Sequence, residues 1–162
     1  MRSMVTSESV RRVLARSGSL LAALLLLAAC TVRLIAPYDE QTDKSVTALQ
    51  SHVDTFLLRM PGLAGMPAGT YEHNQDFYVA SKAELSAISV RAAAIPDNDI
   101  TMKQLALLAD SLETVRQLHA LPPKPPATMT SLSAGDVESI RTAMNTSFTA
   151  SLKLELAKKR GN

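Results

Sequence analysis

Four segments of the sequence repeat apolar residues at spacings of three and four, the pattern that most restricts the folds open to this chain. Such spacing places the apolar side chains on one face of an α-helix. Three of the four stripes are Val46, Leu49, Val53, Phe56, Leu57 and Met60; Leu105, Leu108, Leu112, Val115 and Leu118; and Val137, Ile140, Met144, Phe148, Leu152 and Leu156. The remaining segment interleaves two heptad series, Tyr71, Tyr78, Leu85, Ala92 and Asn74, Ser81, Ile88, Ile95. The sequence therefore predicts four helices that pack side by side.

Capping residues and helix breakers set the expected helix boundaries. Asp39 is a predicted N-cap for the first helix and Thr70 for the second. The segment 96–99, Pro-Asp-Asn-Asp, ends the second helix and supplies caps for the third. Ser133 and Asp136 form a variant of the capping box before the fourth. Because no run alternates with period two, we expect an all-α fold, an antiparallel four-helix bundle.

The N-terminal segment has the features of an export signal. Four arginines precede Leu20–Ala29, a run of ten apolar residues. A helix that spans a bilayer needs about 20 apolar residues. The run is too short to span a bilayer, so we expect residues 1–29 to be a cleaved signal peptide.

The end of this run, Leu27-Ala28-Ala29-Cys30, resembles the lipobox of bacterial lipoproteins. The resemblance implies cleavage before Cys30 and a diacylglycerol on its sulfur, so that the covalent lipid anchors the chain to a membrane. Thr31 follows the cysteine, which in the similar enterobacterial lipoproteins implies the outer membrane, here facing the periplasm of a Gram-negative cell. The alternative is an ordinary secretory signal that ends beside a buried thiol. The run 35–50 also resembles the opening of small proteobacterial lipoproteins of unknown role, which implies no function.

Removal of the signal peptide changes the charge of the chain. It takes away four of the 17 Lys and Arg and one of the 15 Asp and Glu, which leaves 13 basic and 14 acidic side chains. This balance and the absence of Trp argue against a nucleic-acid partner. We expect residues 30–37 to form a short acylated tether and 38–162 one helical domain.

No motif in the sequence points to catalysis or to a metal. His52, His73 and His119 belong to three different predicted helices, without the Glu-x-x-His or His-x-x-x-His spacing of metal sites in bundles. They are expected to be surface or boundary residues. The sequence also lacks a Gly-x-Ser-x-Gly elbow and a phosphate-binding Gly-rich loop, and Cys30 is its only cysteine. We predict no enzyme, no catalytic residue, no metal site and no cofactor beyond the lipid.

Two clusters are candidate binding features. Tyr38, Asp39, Glu40 and Asp43 form an acidic patch that could meet a partner or a cation, or could simply be a capped and solvated first helical turn. The second cluster is aromatic and contains Tyr71, Asn74, Phe77 and Tyr78. It could line a small pocket or could be core and boundary packing.

The expected function is that of a membrane-anchored envelope lipoprotein, a non-catalytic helical bundle that offers a helix face to an envelope protein. The alternative is a periplasmic bundle that binds a small ligand, a metal or haem.

Overall fold

A computed structural model describes residues 35–125, 127 and 129–161, and this part of the chain is helical with no strand. Its α-helices are α1 (Glu40–Arg59), α2 (Gln75–Ala93), α3 (Asp99–His119) and α4 (Ala134–Gly161). Three short 3-10 helices, Met60–Leu63, Pro67–Gly69 and Glu72–Asn74, connect α1 to α2. The predicted all-α fold is confirmed, whereas the predicted signal peptide and Cys30 lie outside the described residues. None of the described helices combines the length and the apolarity that a membrane crossing requires.

The helices form a closed antiparallel ring. Each helix packs against the next one along the chain, and α4 returns to pack against α1. One end of the bundle, here called the tether end, consists of residues 35–39, 91–101 and 155–161, which are joined by an Asp39–Arg91 ion pair and a Lys158–Asn98 hydrogen bond. The opposite end, here called the distal end, holds the connection from α1 to α2 and the end of α3, which meet where His119 bonds Gly69.

The core contains most of the predicted apolar positions. All six positions of the first predicted stripe are buried, five of them in α1 and Met60 in the 3-10 helix that follows. Tyr78, Ser81, Leu85, Ile88 and Ala92 of α2 are buried as well. The predictions for the last turn of α3 and the last third of α4 were wrong. Leu118 is exposed and His119 is buried in its place, while Leu156 is exposed and Glu155 and Lys158 are buried. A step of three and a step of four both continue a helical stripe, so the spacing did not distinguish these neighbours.

Two of the predicted helix caps are confirmed. The Asp39 Oδ2 atom accepts hydrogen bonds from the backbone N–H of Thr42 at 3.0 Å and from its hydroxyl at 2.6 Å. Before α4, the Asp136 N–H donates to the Ser133 hydroxyl at 3.2 Å, and the Ser133 N–H donates to the Asp136 carboxylate at 3.1 Å. These pairs satisfy N–H groups that a helix start leaves without partners.

The other two cap predictions were wrong. The Thr70 hydroxyl donates to the Pro67 carbonyl at 2.8 Å, and the 3-10 helix Glu72–Asn74 separates Thr70 from the start of α2. Asn98 occupies the cap position of α3 but makes no side-chain cap. Its amide donates to the Ala92 carbonyl at 2.8 Å, so the side chain closes the end of α2 instead.

Candidate functional site

The acidic patch predicted after the tether lies at the tether end. Asp39 accepts from Arg91 Nε at 2.6 Å and from Arg91 Nη2 at 2.7 Å. The Tyr38 hydroxyl donates to Asp43 Oδ2 at 2.8 Å, and Glu40 forms an ion pair of 2.8 Å with a lysine one turn later. All three carboxylates thus have partners within the chain.

These contacts shift the pKa values of two groups in the patch. Hydrogen bonds from Arg91 and Thr42 hold the pKa of the Asp39 carboxyl well below its usual range. The hydrogen bond to Asp43 raises the pKa of Tyr38 to about 12. The arrangement has the contacts of a capped helical turn, and a role in binding a partner or a cation stays a prediction.

The three histidines have different partners in the structure. His52 Nδ1 lies 3.1 Å from the Glu84 carboxylate, and His73 Nδ1 lies 3.0 Å from the Thr70 hydroxyl. His73 belongs to the 3-10 helix before α2 rather than to α2 itself. Across the residues that the structure describes, no three His, Cys, Asp or Glu side chains group as a metal site would need. The surface or boundary prediction is confirmed for His52 and His73, and it is wrong for His119, which is 0% exposed.

His119 lies at the centre of a polar cluster at the distal end, here called the His119 cluster (Gly69, Tyr71, Tyr78, Arg116 and His119). Its Nε2 atom is 2.9 Å from the Gly69 carbonyl oxygen, which can only accept, so Nε2 carries the hydrogen. The neutral ring then accepts at Nδ1 from the Tyr78 hydroxyl, 2.8 Å away. Burial lowers the pKa of His119 and raises the pKa of Tyr78. Both groups are therefore neutral near pH 7.

Aromatic rings pack around this cluster. The rings of Phe56 and Phe77 stack at a centroid distance of 3.6 Å, and Tyr78 meets Phe77 edge-on at 5.0 Å. Tyr71 lies 5.7 Å from Tyr78. Within the aromatic cluster that the sequence predicted, Phe77 is thus a packing residue, whereas Tyr71 and Tyr78 also border open space.

That open space is a groove of ≈ 520 Å³ between α2 and α3. Its floor is apolar and includes Tyr78, Leu85 and Leu112, and its rim is charged. The residues that line it are Tyr71, Gln75, Tyr78, Val79, Lys82, Leu85, Ala109, Asp110, Leu112, Glu113 and Arg116. A concave surface with an apolar floor and a few polar groups at the rim is the usual form of a binding site.

Arg116 makes several hydrogen bonds on this rim. It donates from Nε at 2.9 Å and from Nη2 at 2.7 Å to the Glu113 carboxylate, and from Nη1 at 3.1 Å to the Tyr71 hydroxyl. The Arg116 hydrogen bonds lower the pKa of Glu113 to about 2. Neither residue was predicted as a site residue from the sequence, although an acid and an arginine three residues apart on a predicted helix are a recognisable pair.

A second buried polar group, here called the Lys158 cluster (Asn98, Thr101, Glu155 and Lys158), lies at the tether end. Lys158 Nζ donates to Asn98 Oδ1 at 2.7 Å, to Thr101 Oγ1 at 2.6 Å and to Glu155 Oε1 at 2.7 Å. The Lys158 and Glu155 side chains are each 2% exposed. Glu155 Oε2 is buried without a hydrogen-bond partner among the described residues.

This cluster was not predicted from the sequence. Lys158 falls 18 residues after Ile140, which is five helical turns, so it continues the inward face of α4. That register is the signal that could have placed Lys158 in the interior.

Comparisons of the chain with models of protein families, with curated proteins and with solved structures found no match. No residue role is therefore transferred from another protein.

Proposed function

We propose that this chain is a lipid-anchored protein of the bacterial envelope and that it works as a non-catalytic interaction module. The observation that carries the proposal is the position of Cys30. It is the only cysteine in 162 residues. It directly follows a ten-residue apolar run whose last three residues are the Leu-Ala-Ala of a lipobox-like motif. A secreted chain with one unpaired thiol is unusual, and acylation removes that thiol.

Acylation at Cys30 would hold the protein on the membrane. Each buried CH₂ contributes about 0.8 kcal/mol, and one acyl chain alone gives only marginal binding. The two chains of a diacylglycerol therefore provide a stable anchor. Because Thr31 and not Asp follows Cys30, we place the anchor in the outer membrane, with the bundle in the periplasm.

The groove between α2 and α3 is the surface we propose for partner binding. Val79 borders it on α2 and is 67% exposed, so a partner can bury apolar surface there. Lys82 lies on the α2 side of the groove and Asp110 on the α3 side. This arrangement suits a helix of another envelope protein that has an apolar stripe, an acidic residue toward α2 and a basic residue toward α3.

The anchor is tested by mass spectrometry of the full chain purified from the membranes of a Gram-negative host. We expect the mature N-terminus to be Cys30 with a diacylglycerol, and a Cys30→Ser variant to lose both the lipid and the membrane fraction. A mature chain with a free Cys30 thiol would refute the proposal.

The groove is tested with a photo-crosslinking residue at Val79 in intact cells. Position 150, an exposed alanine on α4, serves as the matched control. We expect a discrete crosslinked protein from position 79 and none from position 150. Equal crosslinking from both positions, or none from either, would argue against the groove as the partner surface.

A further inference from the structure

We propose that the tether end of the bundle lies against the lipid headgroups, so that the helices stand steeply on the membrane and the distal end points away from it. This inference rests on the proposed acylation of Cys30. It adds an orientation and a lipid-contacting surface to that proposal.

The path of the chain into the bundle is the first argument. Ala36 is buried, and its N–H donates to the Asp97 carbonyl at 3.1 Å in the loop between α2 and α3. Asp39, three residues later, is paired with Arg91 at the end of α2. The segment before α1 is thus attached to the tether end from residue 36 onward.

The length of the tether is the second argument. Five peptide steps separate Cys30 from Ile35. Even fully extended they reach about 18 Å. The helix α4 has 28 residues, which corresponds to about 42 Å at 1.5 Å per residue. The lipid can therefore keep the tether end at the bilayer but cannot reach the distal end.

The chemistry of the tether end is the third argument. Ile35, Ile100 and Leu156 are 46%, 44% and 43% exposed at this one end. Lys159 and Arg160 lie beside them in the last turn of α4. Exposed aliphatic residues next to cations suit the boundary between headgroups and acyl chains.

The proposed contact does not depend on the net charge of the tether end. Asp97 and Asp99 lie at the same end and offset part of the positive charge of α4. The contact we propose is therefore held by the anchor and the aliphatic side chains, and it requires no anionic lipid.

Helix α3 has three exposed positions at increasing distances from the tether end, which the test uses. Ile100, Leu107 and Leu118 are 44%, 57% and 45% exposed. They are separated by seven and eleven residues, which are close to two and three turns, so they lie on one face of the helix. Along the helix axis, Leu107 and Leu118 lie about 10 Å and about 27 Å from Ile100.

The experiment places one cysteine at each of these positions in the full chain, purified with its lipid from a Gram-negative host. Acylated Cys30 does not react, so a thiol-specific fluorophore labels only the new cysteine. Each labelled protein is inserted into vesicles of phosphatidylethanolamine and phosphatidylglycerol that contain a lipid with a nitroxide at its headgroup. Circular dichroism checks that each variant keeps its helices, and mass spectrometry confirms the lipid.

We expect quenching to fall steadily from position 100 to position 118, with the first quenched at least about threefold more than the last if the end enters the interface. Equal quenching at all three positions would mean that the bundle lies on its side, and would overturn the proposal. Quenching at none of them, with the lipid on Cys30 confirmed, would also overturn it, because the tether would then hold the bundle clear of the membrane. If mass spectrometry finds no lipid on the purified full chain and the chain does not bind vesicles, the proposed function is refuted, and this inference with it.

Discussion

At the scale of single residues, two buried polar side chains are held by partners from other helices. Lys158 uses its three hydrogens on three acceptors, and His119 uses both ring nitrogens. Because such groups lose their water on burial, each depends on every one of its partners.

Replacement of Lys158 tests the buried ion pair. We expect Lys158→Met to lower the free energy of unfolding by about 3–5 kcal/mol, because Glu155 would remain buried without a counter-charge. The double variant Glu155→Leu with Lys158→Met should recover most of this loss, since no unpaired charge remains. Urea denaturation followed by circular dichroism measures both. The exposed neighbour provides the control, and a Lys159→Met variant as unstable as Lys158→Met would contradict the burial of Lys158.

The pH dependence of stability tests the neutral His119. Burial lowers the pKa of His119 in the folded protein below its unfolded value of 6.5. The unfolded chain therefore binds this proton more readily, so the contribution of His119 is complete above pH 6.5 and is lost as the pH falls below it. The slope is at most about 1.4 kcal/mol per pH unit for one proton.

We expect this slope in the pH range just below 6.5 in the wild type and its reduction in His119→Gln. The pKa values of the Asp39 and Glu113 carboxyls are lowered from unfolded values of 3.8 and 4.5. Their contributions to stability therefore change only at lower pH, outside this range. His52→Gln, a substitution at a partly exposed histidine, is the control variant. A slope that persists in His119→Gln would show that another group titrates here. Urea denaturation at a series of pH values gives the measurement.

At the scale of elements, the connection between α1 and α2 is rich in Pro and Gly and nevertheless forms regular structure. Three 3-10 helices fill it, and Gly69 is buried at its centre. A Cβ atom on Gly69 would collide with the carbonyl group of Leu63. Because this is a backbone group, it cannot rotate away as a side chain does.

We therefore expect Gly69→Ala to lower the free energy of unfolding by about 1–3 kcal/mol, the usual cost of overpacking. It should also displace the carbonyl that binds His119, which the near-ultraviolet dichroism of Tyr71 and Tyr78 would report. Gly62 has open space around its Cβ position. Gly62→Ala is the matched control, and an equal effect from both variants would show that the close approach is not responsible.

At the scale of the whole molecule, the bundle has its own core within residues 35–162, which form one compact unit. We expect a chain that begins at residue 35 to keep the Tm of the full chain. A chain that begins at Glu40 should melt lower, because it lacks the Asp39 cap, the Arg91 ion pair and the buried Ala36. Thermal unfolding followed by circular dichroism compares them. A lower Tm in the first truncation would mean that residues before 35 contribute to the fold.

Much of this fold could be predicted because it depends on near neighbours in the chain. The stripe of α1, the cap at Asp39 and the box at Ser133 each involve residues a few positions apart, so the sequence determined them by itself. The candidate site was predicted only in part: Tyr71 and Tyr78 were identified, whereas Arg116 and Glu113 across the groove were not.

Tertiary structure alone decided which polar residues enter the core. Leu118 and His119 were equally suitable for the inward position, and His119 is buried because the Gly69 carbonyl, 50 residues away, and Tyr78 accept and donate at its two nitrogens. In the same way Lys158 is buried because Asn98, 60 residues away, and Thr101 stand opposite it. A local pattern cannot specify such choices, because the atoms that satisfy a buried polar group arrive from other helices only when the bundle closes.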